Sequence, residues 1–573
     1  MTDKQEIAQI LEEMGSLLEL KGENPFRIRA YQNGARALLN LDEELSKVIE
    51  EDRLTDVEGI GDHLAKSITT LAKTGRLPEY EKLKKSIPPI LLEMIELQGL
   101  GPKTAKALYQ KLKIKSISDL KKAATEGKIA KLKGFGAKTE KNILKAIEDQ
   151  KTHQNQYLWF DAMEIAAPIL KELKELKGVK QAEICGSLRR KMEIVGDLDF
   201  LVGSDEPKPI MDWFTSKKRG ASIIAKGATK GSIRLHSGIQ ADLRIVPTDQ
   251  FLYALIYFTG SKEHNIALRS LSLKKGFSLS EYGFEAKDKK SVMPKMKDEK
   301  GFYRSLSLSY IPPELRENLG EIEAAAKGKI PKLIEEGDIR GSFHNHTAES
   351  DGRNSLQQMI HEAERLKWEY LGISDHSKSS VQAGGLSEEK LLEQVEIIKK
   401  INRAKQFKTH VFTGTECDIL PNGSLDYSDE ILKQLDFVIV SIHSSLRQDE
   451  KTITKRIIKA LEHPLTTMLA HLTSRLLLKR APSLANINKI IDAAIANKKI
   501  VEINGSPMRL DMDWRYWRKA AEKGLLCSIN PDAHSVEQLQ FVNTGVNIAR
   551  KGWLTKADVI NTLPLKEVSK FLN

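Results

Sequence analysis

The stretch from Gly186 to Arg269 limits the fold of this chain more than any other part of it. The apolar run in GDLDFLV predicts a β-strand, and side chains two residues apart on a strand share a face, so Asp197 and Asp199 project together. The segments SIRLH and IQADLRIV, joined by a Ser-Gly turn, predict a hairpin that brings Asp242 alongside them. Three carboxylates gathered in this way suit Mg²⁺ bound together with substrate phosphates.

The residues around these carboxylates also suit a nucleotide. GSLRR follows the apolar run AEIC, so Gly186 and Ser187 can offer amides and a hydroxyl to phosphate oxygens, and Arg190 can add a charged contact. Tyr257 and Phe258 supply flat apolar faces for a sugar and a base. A helix predicted from near residue 261 to near residue 276 places two polar side chains on one face, four residues apart: Asn265 and Arg269.

In order and spacing, these motifs resemble those of the family X DNA polymerases, the DNA polymerase beta group, over residues 1–317. The resemblance implies addition of deoxynucleotides at a primer 3′-end, with two Mg²⁺ ions at the site. It implies Asp197, Asp199 and Asp242 as catalytic metal ligands. The nucleotide-binding residues that it implies are Gly186, Ser187, Arg190, Tyr257, Phe258, Gly260, Asn265 and Arg269. For Arg190, which lies between two basic residues, a solvated basic cluster is the alternative.

Composition excludes several classes of protein. At 573 residues the chain has room for three or four domains of about 150 residues each. No apolar stretch approaches the roughly 20 residues of a membrane span, and the N-terminus lacks a signal-peptide pattern, so we expect a cytoplasmic, nucleoid-associated protein. Three isolated cysteines indicate neither disulfides nor a thiolate zinc cluster. The net charge of +12 is uneven, with −6 in residues 1–100 and +8 in residues 101–150, which favours a polyanionic partner.

Residues 1–150 predict amphipathic helices punctuated by three glycine repeats, VEGIGDHLAKSI, LQGLGPKTAKAL and LKGFGAKTEKNI. Each is the pattern of a helix-hairpin-helix, whose glycines let the backbone approach DNA and whose amides hold a phosphate without reading sequence. A helix-joining turn would explain one copy, but three copies favour binding to the DNA backbone. The residues expected at these contacts are Gly59, Gly61, Gly99, Gly101, Lys103, Gly134, Gly136 and Lys138.

The segment NPFRIRAYQNGARAL resembles the small N-terminal lyase domain of the same polymerase group. Alignment of the glycines of the first repeat places Ser67 where that domain carries its Schiff-base lysine. Lys66 is adjacent but lies on another face of the helix. Because a Schiff base needs an amine, we expect little 5′-deoxyribose phosphate lyase activity.

Nine of the 13 histidines lie in residues 338–573, and their placement predicts a second catalytic unit. Groups of His, Asp and Glu follow apolar, β-branched runs, and helical stretches lie between the runs. Such alternation predicts a (β/α) barrel, whose chemistry gathers at the C-terminal ends of its strands. Side chains converging there would hold two or three Mn²⁺ or Zn²⁺ ions. The predicted ligands are His344, His346, Asp351, His376, Glu416, His443, His471, Asp532 and His534.

This ordered series resembles the polymerase-and-histidinol-phosphatase (PHP) domain, a seven-stranded barrel that bacterial family X enzymes carry after the polymerase. The resemblance implies phosphodiester hydrolysis as a 3′–5′ exonuclease, with abasic-site or 3′-phosphate cleavage as further options. KIVEINGS supplies a strand without a histidine. His361, His410 and His463 fall outside the series, and an Asp-Gly turn is the alternative role for Asp351.

The predicted architecture is therefore multidomain: a helical N-terminal region with helix-hairpin-helix motifs, an α+β nucleotidyltransferase palm and a C-terminal (β/α)7-type PHP barrel. We expect a monomer that acts on gapped or primer-template DNA and dNTPs, with no membrane partner. The predicted divisions are a lyase-like domain at 1–85, a fingers-like helix-hairpin-helix domain at 86–150, the palm at 151–260, a nucleotide-selection subdomain at 261–319, a linker at 320–337 and the barrel at 338–573.

Two alternatives remain open. The barrel could be a non-catalytic, metal-stabilised scaffold, although a structural metal site needs only about four ligands. The polymerase could be a template-independent nucleotidyltransferase acting on RNA, although the glycine repeats together with Asn265 and Arg269 favour template DNA. In HLTSRLLLKR, a solvated basic cluster explains Arg475, Lys479 and Arg480 as well as phosphate contacts do.

Overall fold

The structure is a computed structural model that describes residues 4–39, 41, 43, 45–57, 59–97, 100–153, 155–287 and 296–572. The chain divides into two units, Met1–Gln154 and Asn155–Asn573. Among the described residues, no helix combines the length and the apolar character that crossing a bilayer requires.

The first unit is helical, as the sequence predicts. Its helices are α1 (Lys4–Lys21), α2 (Pro25–Leu39), α3 (Leu45–Glu50), α4 (Asp62–Thr74), α5 (Pro78–Lys85), α6 (Pro89–Glu96), α7 (Pro102–Leu112), α8 (Ile117–Thr125) and α9 (Ala137–His153). Their apolar faces form one core. α4, α7 and α9 begin directly after the last glycine of a repeat, and Gly59 and Gly134 both have φ of +92°, which favours glycine. The predicted pattern of glycine turn and helix start is therefore confirmed for these residues.

The second unit begins with a five-stranded sheet. The strands of this region are β1 (Tyr157–Leu158), β2 (Gln181–Ile184), β3 (Ile194–Val195), β4 (Asp197–Gly203), β5 (Gly220–Lys226), β6 (Lys230–Leu235) and β7 (Gln240–Val246). Its helices are α10 (Trp159–Glu175), α11 (Gly186–Arg189) and α12 (Pro207–Phe214). The sheet order is β2-β4-β7-β6-β5, and β1 pairs with β3 separately. β6 and β7 form the predicted hairpin, and β7 pairs parallel to β4.

Alternation along β4 separates the core from the candidate site. Leu198, Phe200 and Val202 are at most 2% exposed and belong to the core that α10 and α12 cover. Asp197 and Asp199 point to the other face and are only half-buried. The period of two therefore directs both carboxylates away from the apolar core.

A mixed region follows the sheet. It contains α13 (Phe251–Thr259), α14 (Lys262–Lys274), β8 (Phe277–Ser280), β9 (Gly283–Ala286), α15 (Glu299–Ser305) and α16 (Glu321–Ala326). Ser261 caps α14 by accepting from the His264 amide, which confirms the predicted start of this helix. α16 lies in the predicted linker, and Glu321 there is fully buried with Oε1 2.6 Å from His264 Nδ1. This segment is therefore packed onto α14.

A barrel completes the second unit. Its strands are β10 (Gly341–Ser342), β11 (Tyr370–Ile373), β12 (His410–Asp418), β13 (Phe437–Ser441), β14 (Met468–Leu469), β15 (Ile500–Asn504) and β16 (Cys527–Asn530). Its helices are α17 (Leu356–Arg365), α18 (Glu388–Ala404), α19 (Asp429–Leu432), α20 (Glu450–Leu461), α21 (Ile487–Ala496), α22 (Trp514–Glu522), α23 (Val542–Lys551) and α24 (Leu565–Val568). The seven strands are parallel and stand in sequence order.

The barrel is nearly closed and is filled from within. A parallel bridge between Asn345 and Ala533 joins the ends of the first and last strands. The ring of Phe343, next to β10, contacts Phe437 on β13 with centroids 5.4 Å apart, although these strands are not neighbours. Aromatic side chains therefore fill the interior, and polar groups gather at the C-terminal ends of the strands. The predicted fold class is confirmed.

Candidate active sites

Three carboxylates of the five-stranded sheet converge on one point. Asp199 on β4 and Asp242 on β7 are register partners, and Asp197 lies two residues before Asp199. Each offers an oxygen atom, and these atoms lie within 4.8 Å of one another. Burial raises the pKa of Asp199 to about 7, and the charges of Asp197 and Asp242 add to the rise. Carboxylates that repel one another in this way fit a ligand set that a divalent cation completes.

The GSLRR loop lies directly against this triad. Gly186 has φ of +61°, and a Cβ atom here would overlap Asp199 Oδ2 and lie 3.2 Å from Asp199 Cγ. The Cys185 amide donates to the Asp199 carbonyl oxygen at 2.8 Å. Glycine is thus needed both for the backbone conformation and for the close approach. Ser187 follows in α11 and is half-buried.

The two arginines of this loop are engaged by the region that follows the sheet. Arg189 places Nη1 3.1 Å and Nη2 2.8 Å from the two carboxylate oxygens of Glu299. Arg190 Nε lies 3.1 Å from Glu317 Oε1, and Nη1 donates to the carbonyl oxygen of Thr259 at 2.7 Å. The arginine side chains are only 16% and 14% exposed. The alternative of a solvated basic cluster is therefore wrong for this pair.

The other nucleotide-binding candidates stand together at the end of α13. The rings of Tyr257 and Phe258 meet edge to face with centroids 5.2 Å apart. Asn265 Nδ2 donates to the Tyr257 carbonyl oxygen at 2.7 Å, and the Arg269 guanidinium lies 5.6 Å from the centre of the Tyr257 ring. Tyr257, Asn265 and Arg269 line one cleft. Gly260 follows α13 with φ of +73°.

The nine predicted metal-binding side chains of the barrel also converge. They form four overlapping groups, in each of which the ligand atoms lie within 4.8 Å of one another. The groups are His346–Asp351–His376–His534, His344–His346–Glu416, His344–His471–Asp532 and His376–Glu416–His443. Asp351 Oδ2 is 3.5 Å from His376 Nε2, and its Oδ1 is 3.3 Å from His534 Nε2. Asp351 thus stands inside the cluster.

The donor atoms of this cluster fit metal ions. Within the described part of the chain, neither ring nitrogen of His346 has a hydrogen-bond partner, nor do His344 Nε2, His376 Nδ1 and His471 Nδ1. Burial and the charges of His534 and His376 lower the pKa of His346 to about 4, so this imidazole is neutral at pH 7. Buried nitrogens without a partner are costly, and neutral imidazole is the form that binds metals.

Three residues of this site were missing from the sequence-based prediction. Glu502 Oε1 lies 2.7 Å from His344 Nδ1, and Asp418 Oδ1 lies 3.0 Å from His443 Nδ1. Carboxylates in these positions orient metal-binding imidazoles. Both stand within or at the end of apolar strands, a signal that could have revealed them. Arg509 lies in a loop, where the local sequence carries no such signal.

The cluster opens into a cavity of about 650 Å³. Arg509 lines it, with a side chain 19% exposed. The apolar residues Val381, Leu420 and Pro421 form another part of the wall, and Val381 is 79% exposed. A cation and an apolar surface beside potential metal ligands suit a phosphate that carries a sugar and a base.

Comparison with known proteins decides the family. Family models match a helix-hairpin-helix domain at residues 2–77, a SAM-like helix-hairpin-helix tandem at 91–149, a DNA polymerase beta thumb at 254–317 and a PHP domain at 342–506. The chain is 36% identical over 571 residues, 99% of each chain, to the DNA polymerase/3′-5′ exonuclease PolX of Bacillus subtilis (strain 168). The chain belongs to the bacterial family X DNA polymerases with a C-terminal PHP domain.

Two further relatives are similar to part of this family X polymerase. DNA polymerase lambda of Rattus norvegicus is 23% identical over 299 residues, 49% of each chain. A probable phosphatase of Acetivibrio thermocellus is 28% identical over 166 residues, 28% of this chain and 63% of the phosphatase.

The glycine repeats of this family X polymerase are open to a ligand. The predicted contact residues of the three repeats that the structure describes are exposed. Nothing lies within 4 Å of where a Cβ atom would stand at Gly61, Gly101, Gly134 or Gly136. The other exposed members are Gly59, Lys103 and Lys138. Gly99 lies outside the described residues.

The lyase-like region lacks a buried amine at the expected position. Ser67 is buried and donates its hydroxyl to the His63 carbonyl oxygen at 3.1 Å, whereas Lys66 is exposed. Glu79 lies 2.5 Å from Arg27 and 3.5 Å from the His63 imidazole, so a carboxylate already pairs with the arginine of this region.

The remaining candidates of the barrel fall into two sets. His361, on the exposed side of α17, His410, at the start of β12, and His463, beside Asp429, belong to none of the ligand groups. Arg475 is buried, and its Nε donates to a backbone carbonyl oxygen at 2.8 Å. The interpretation of Arg475 as part of a solvated basic cluster is therefore wrong.

Proposed function

We propose that this chain is a DNA-directed DNA polymerase for short-gap repair and a 3′–5′ exonuclease, with one active site in the palm and one in the barrel. The activities named for the Bacillus subtilis relative support both halves, because the similarity covers 99% of each chain. The observation that carries the polymerase assignment is the triad of Asp197, Asp199 and Asp242, within 4.8 Å of one another beside the GSLRR loop.

In the polymerase site, the triad would hold two Mg²⁺ ions, which supply positive charge for nucleotidyl transfer. Gly186 and Ser187 contribute amides and a hydroxyl to the triphosphate, and Arg190 contributes a guanidinium. Tyr257 and Phe258 pack against the sugar. Gly260 shapes the turn after α13, and Asn265 and Arg269 face the minor groove of the new base pair.

The polymerase assignment is tested with Asp199→Ala. Primer extension on gapped DNA with Mg²⁺ should be abolished, because the triad loses the carboxylate that lies against the loop. Digestion by the barrel should persist in the same preparation and serves as the folding control. Extension near the wild-type rate would refute the site. Assays with and without a template strand, on DNA and RNA primers, separate this enzyme from a template-independent nucleotidyltransferase.

In the barrel, the nine-residue cluster would hold two or three Mn²⁺ or Zn²⁺ ions, which supply Lewis-acid activation for phosphodiester hydrolysis. Arg509 binds the phosphate of the terminal nucleotide, and Val381 contacts its sugar or base. Four overlapping ligand groups exceed the closed shell that a structural metal requires. Abasic-site and 3′-phosphate cleavage would use the same cavity. A non-catalytic scaffold would leave the cavity without a role.

The exonuclease assignment is tested with His344→Ala combined with His346→Ala. Mn²⁺-dependent 3′–5′ digestion should disappear, because the two residues contribute to three of the four ligand groups. Gap filling should remain. Digestion that survives in a contaminant-free preparation would instead support the scaffold alternative.

The exposed glycine repeats are proposed to hold the DNA backbone, with gapped or primer-template DNA and dNTPs as substrates. We propose the domain division given above, a monomer without a membrane partner, and a cytoplasmic, nucleoid-associated location.

A further inference from the structure

A lysine of the barrel is buried among residues of the polymerase region. Lys551 ends α23, and its side chain is 0% exposed. Its Nζ lies 2.9 Å from Glu317 Oε1, 3.0 Å from the carbonyl oxygen of Arg190 and 3.2 Å from the carbonyl oxygen of Glu314. An ammonium group has three donors. Each of the three donates a hydrogen bond to a residue that precedes the barrel in the sequence.

The barrel contacts the same loop at a second point. Lys551 Nζ lies 4.5 Å from the ring centre of Trp514, and Trp514 Nε1 donates to Glu193 Oε2 at 3.0 Å. Glu193 is 6% exposed and stands three residues after Arg190. The segment from GSLRR to β4 is therefore held from the barrel side both at Arg190 and at Glu193.

These contacts fix the guanidinium of Arg190. Glu317 Oε1 is shared, because it lies 2.9 Å from Lys551 Nζ and 3.1 Å from Arg190 Nε. Arg190 Nη1 is held by the Thr259 carbonyl oxygen at 2.7 Å. Among the described residues, no hydrogen-bond partner reaches Arg190 Nη2. The Arg190 amide donates to the Gly186 carbonyl oxygen at 3.2 Å, and Gly186 lies directly against the Asp199 side chain. The loop that carries Arg190 therefore lies directly beside the triad.

We propose that Lys551 is a positioning residue of the polymerase, so that the barrel forms part of the nucleotide-binding site. Lys551 acts through Glu317 and the backbone of Arg190, and it touches neither the nucleotide nor the triad. This inference rests on the proposed polymerase function. Without the ammonium group, the Arg190 carbonyl loses a donor and Glu317 pairs with Arg190 alone, which shifts the guanidinium away from the triphosphate.

The test compares Lys551→Met with Arg550→Ala. Arg550 also bridges the two regions, with Nε 2.8 Å from Glu314 Oε1 and Nη1 2.8 Å from the Ile334 carbonyl oxygen, but it does not contact Arg190. Single-nucleotide gap filling gives KM for dNTP and kcat. Lys551→Met should raise KM about tenfold, the loss expected for one charge-assisted contact, with a smaller change in kcat. Arg550→Ala should keep KM near the wild-type value. A wild-type KM in Lys551→Met, or an equal rise in both variants, overturns the proposal.

A second comparison excludes a general loss of structure. In an Arg190→Ala background, Lys551→Met should change KM little further, because its route to the nucleotide has been removed. Full additivity of the two substitutions overturns the proposal. Should Lys551→Met fail to fold, judged by loss of exonuclease activity, Glu317→Gln with Lys551→Met removes both charges and replaces it. A KM above that of Glu317→Gln alone supports the proposal, and a KM equal to that of Glu317→Gln alone overturns it. Absence of extension by the wild-type enzyme would instead refute the polymerase function itself.

Discussion

Replacing Gly186 by alanine tests whether the GSLRR loop and the carboxylate triad act as one unit. The new Cβ atom would overlap Asp199 Oδ2 and stand 3.2 Å from Cγ and 3.5 Å from Cβ of the same residue. The overlap is with the carboxylate oxygen, and the approach to Cγ is also tighter than an ordinary contact, so rotation of the carboxylate alone does not relieve it. Either Asp199 or the loop must move.

The close approach of the new Cβ atom allows the losses of stability and of polymerase rate to be compared. Holding alanine at φ of +61° costs about 1 to 2 kcal/mol, so the fold should survive. Misplacement of a catalytic group by about 1 Å lowers the rate about 100-fold, or about 2.7 kcal/mol of transition-state stabilisation. Gly186→Ala should therefore lose gap filling while losing little stability.

The assay is single-nucleotide gap filling with Mg²⁺, with exonuclease activity as the folding control. Gly196→Ala is the matched control, because its Cβ atom would meet only the Asn155 carbonyl oxygen at 3.8 Å, an ordinary contact. Gly196→Ala should retain most of the polymerase activity. Gap filling by Gly186→Ala within about threefold of the wild-type rate would show that the loop and the triad do not depend on this close approach.

Three further predictions follow from single sites. Burial and neighbouring carboxylates raise the pKa of Asp199 to about 7, so below that pH Mg²⁺ must displace a proton to bind. The Mg²⁺ concentration required for extension should therefore rise by up to about tenfold per pH unit below 7 and level off above it. A requirement unchanged between pH 6 and 8 would contradict this. Borohydride trapping on a 5′-deoxyribose phosphate flap should give little adduct, since Ser67 lacks an amine and Lys66 is exposed; strong trapping that Lys66→Ala abolishes would restore the lyase. Arg509→Gln should lower exonuclease activity about 100-fold at unchanged metal content, measured by mass spectrometry of the metals; loss of metal instead would assign Arg509 to holding Asp532.

Local periodicity predicted the elements that carry both sites. The strand of GDLDFLV, the hairpin with Asp242 and the helix after Ser261 all follow from patterns within about ten residues. The barrel followed from apolar runs ending in histidines. These predictions succeed because strand alternation and helix capping depend on neighbours in the sequence.

Pairing between distant residues was not predictable in the same way. Arg190 stands in a basic run that resembles a solvated surface, yet its Nε donates to Glu317, which lies 127 residues later in the sequence. Arg475 also stands in a basic run and is buried. No sequence period links such partners, because their contact depends on how whole elements pack.

The sequence by itself determined which side chains each strand and loop presents, and hence the family and both kinds of chemistry. Only the tertiary structure decided how these side chains are supported. Gly186 packs against Asp199, Glu502 contacts the His344 ring, and Lys551 donates to the Arg190 carbonyl oxygen. The physical reason is the distance along the sequence over which each property is set. The direction of a side chain is set by the local backbone, whereas burial and ion pairing are set by segments that meet only when the chain has folded.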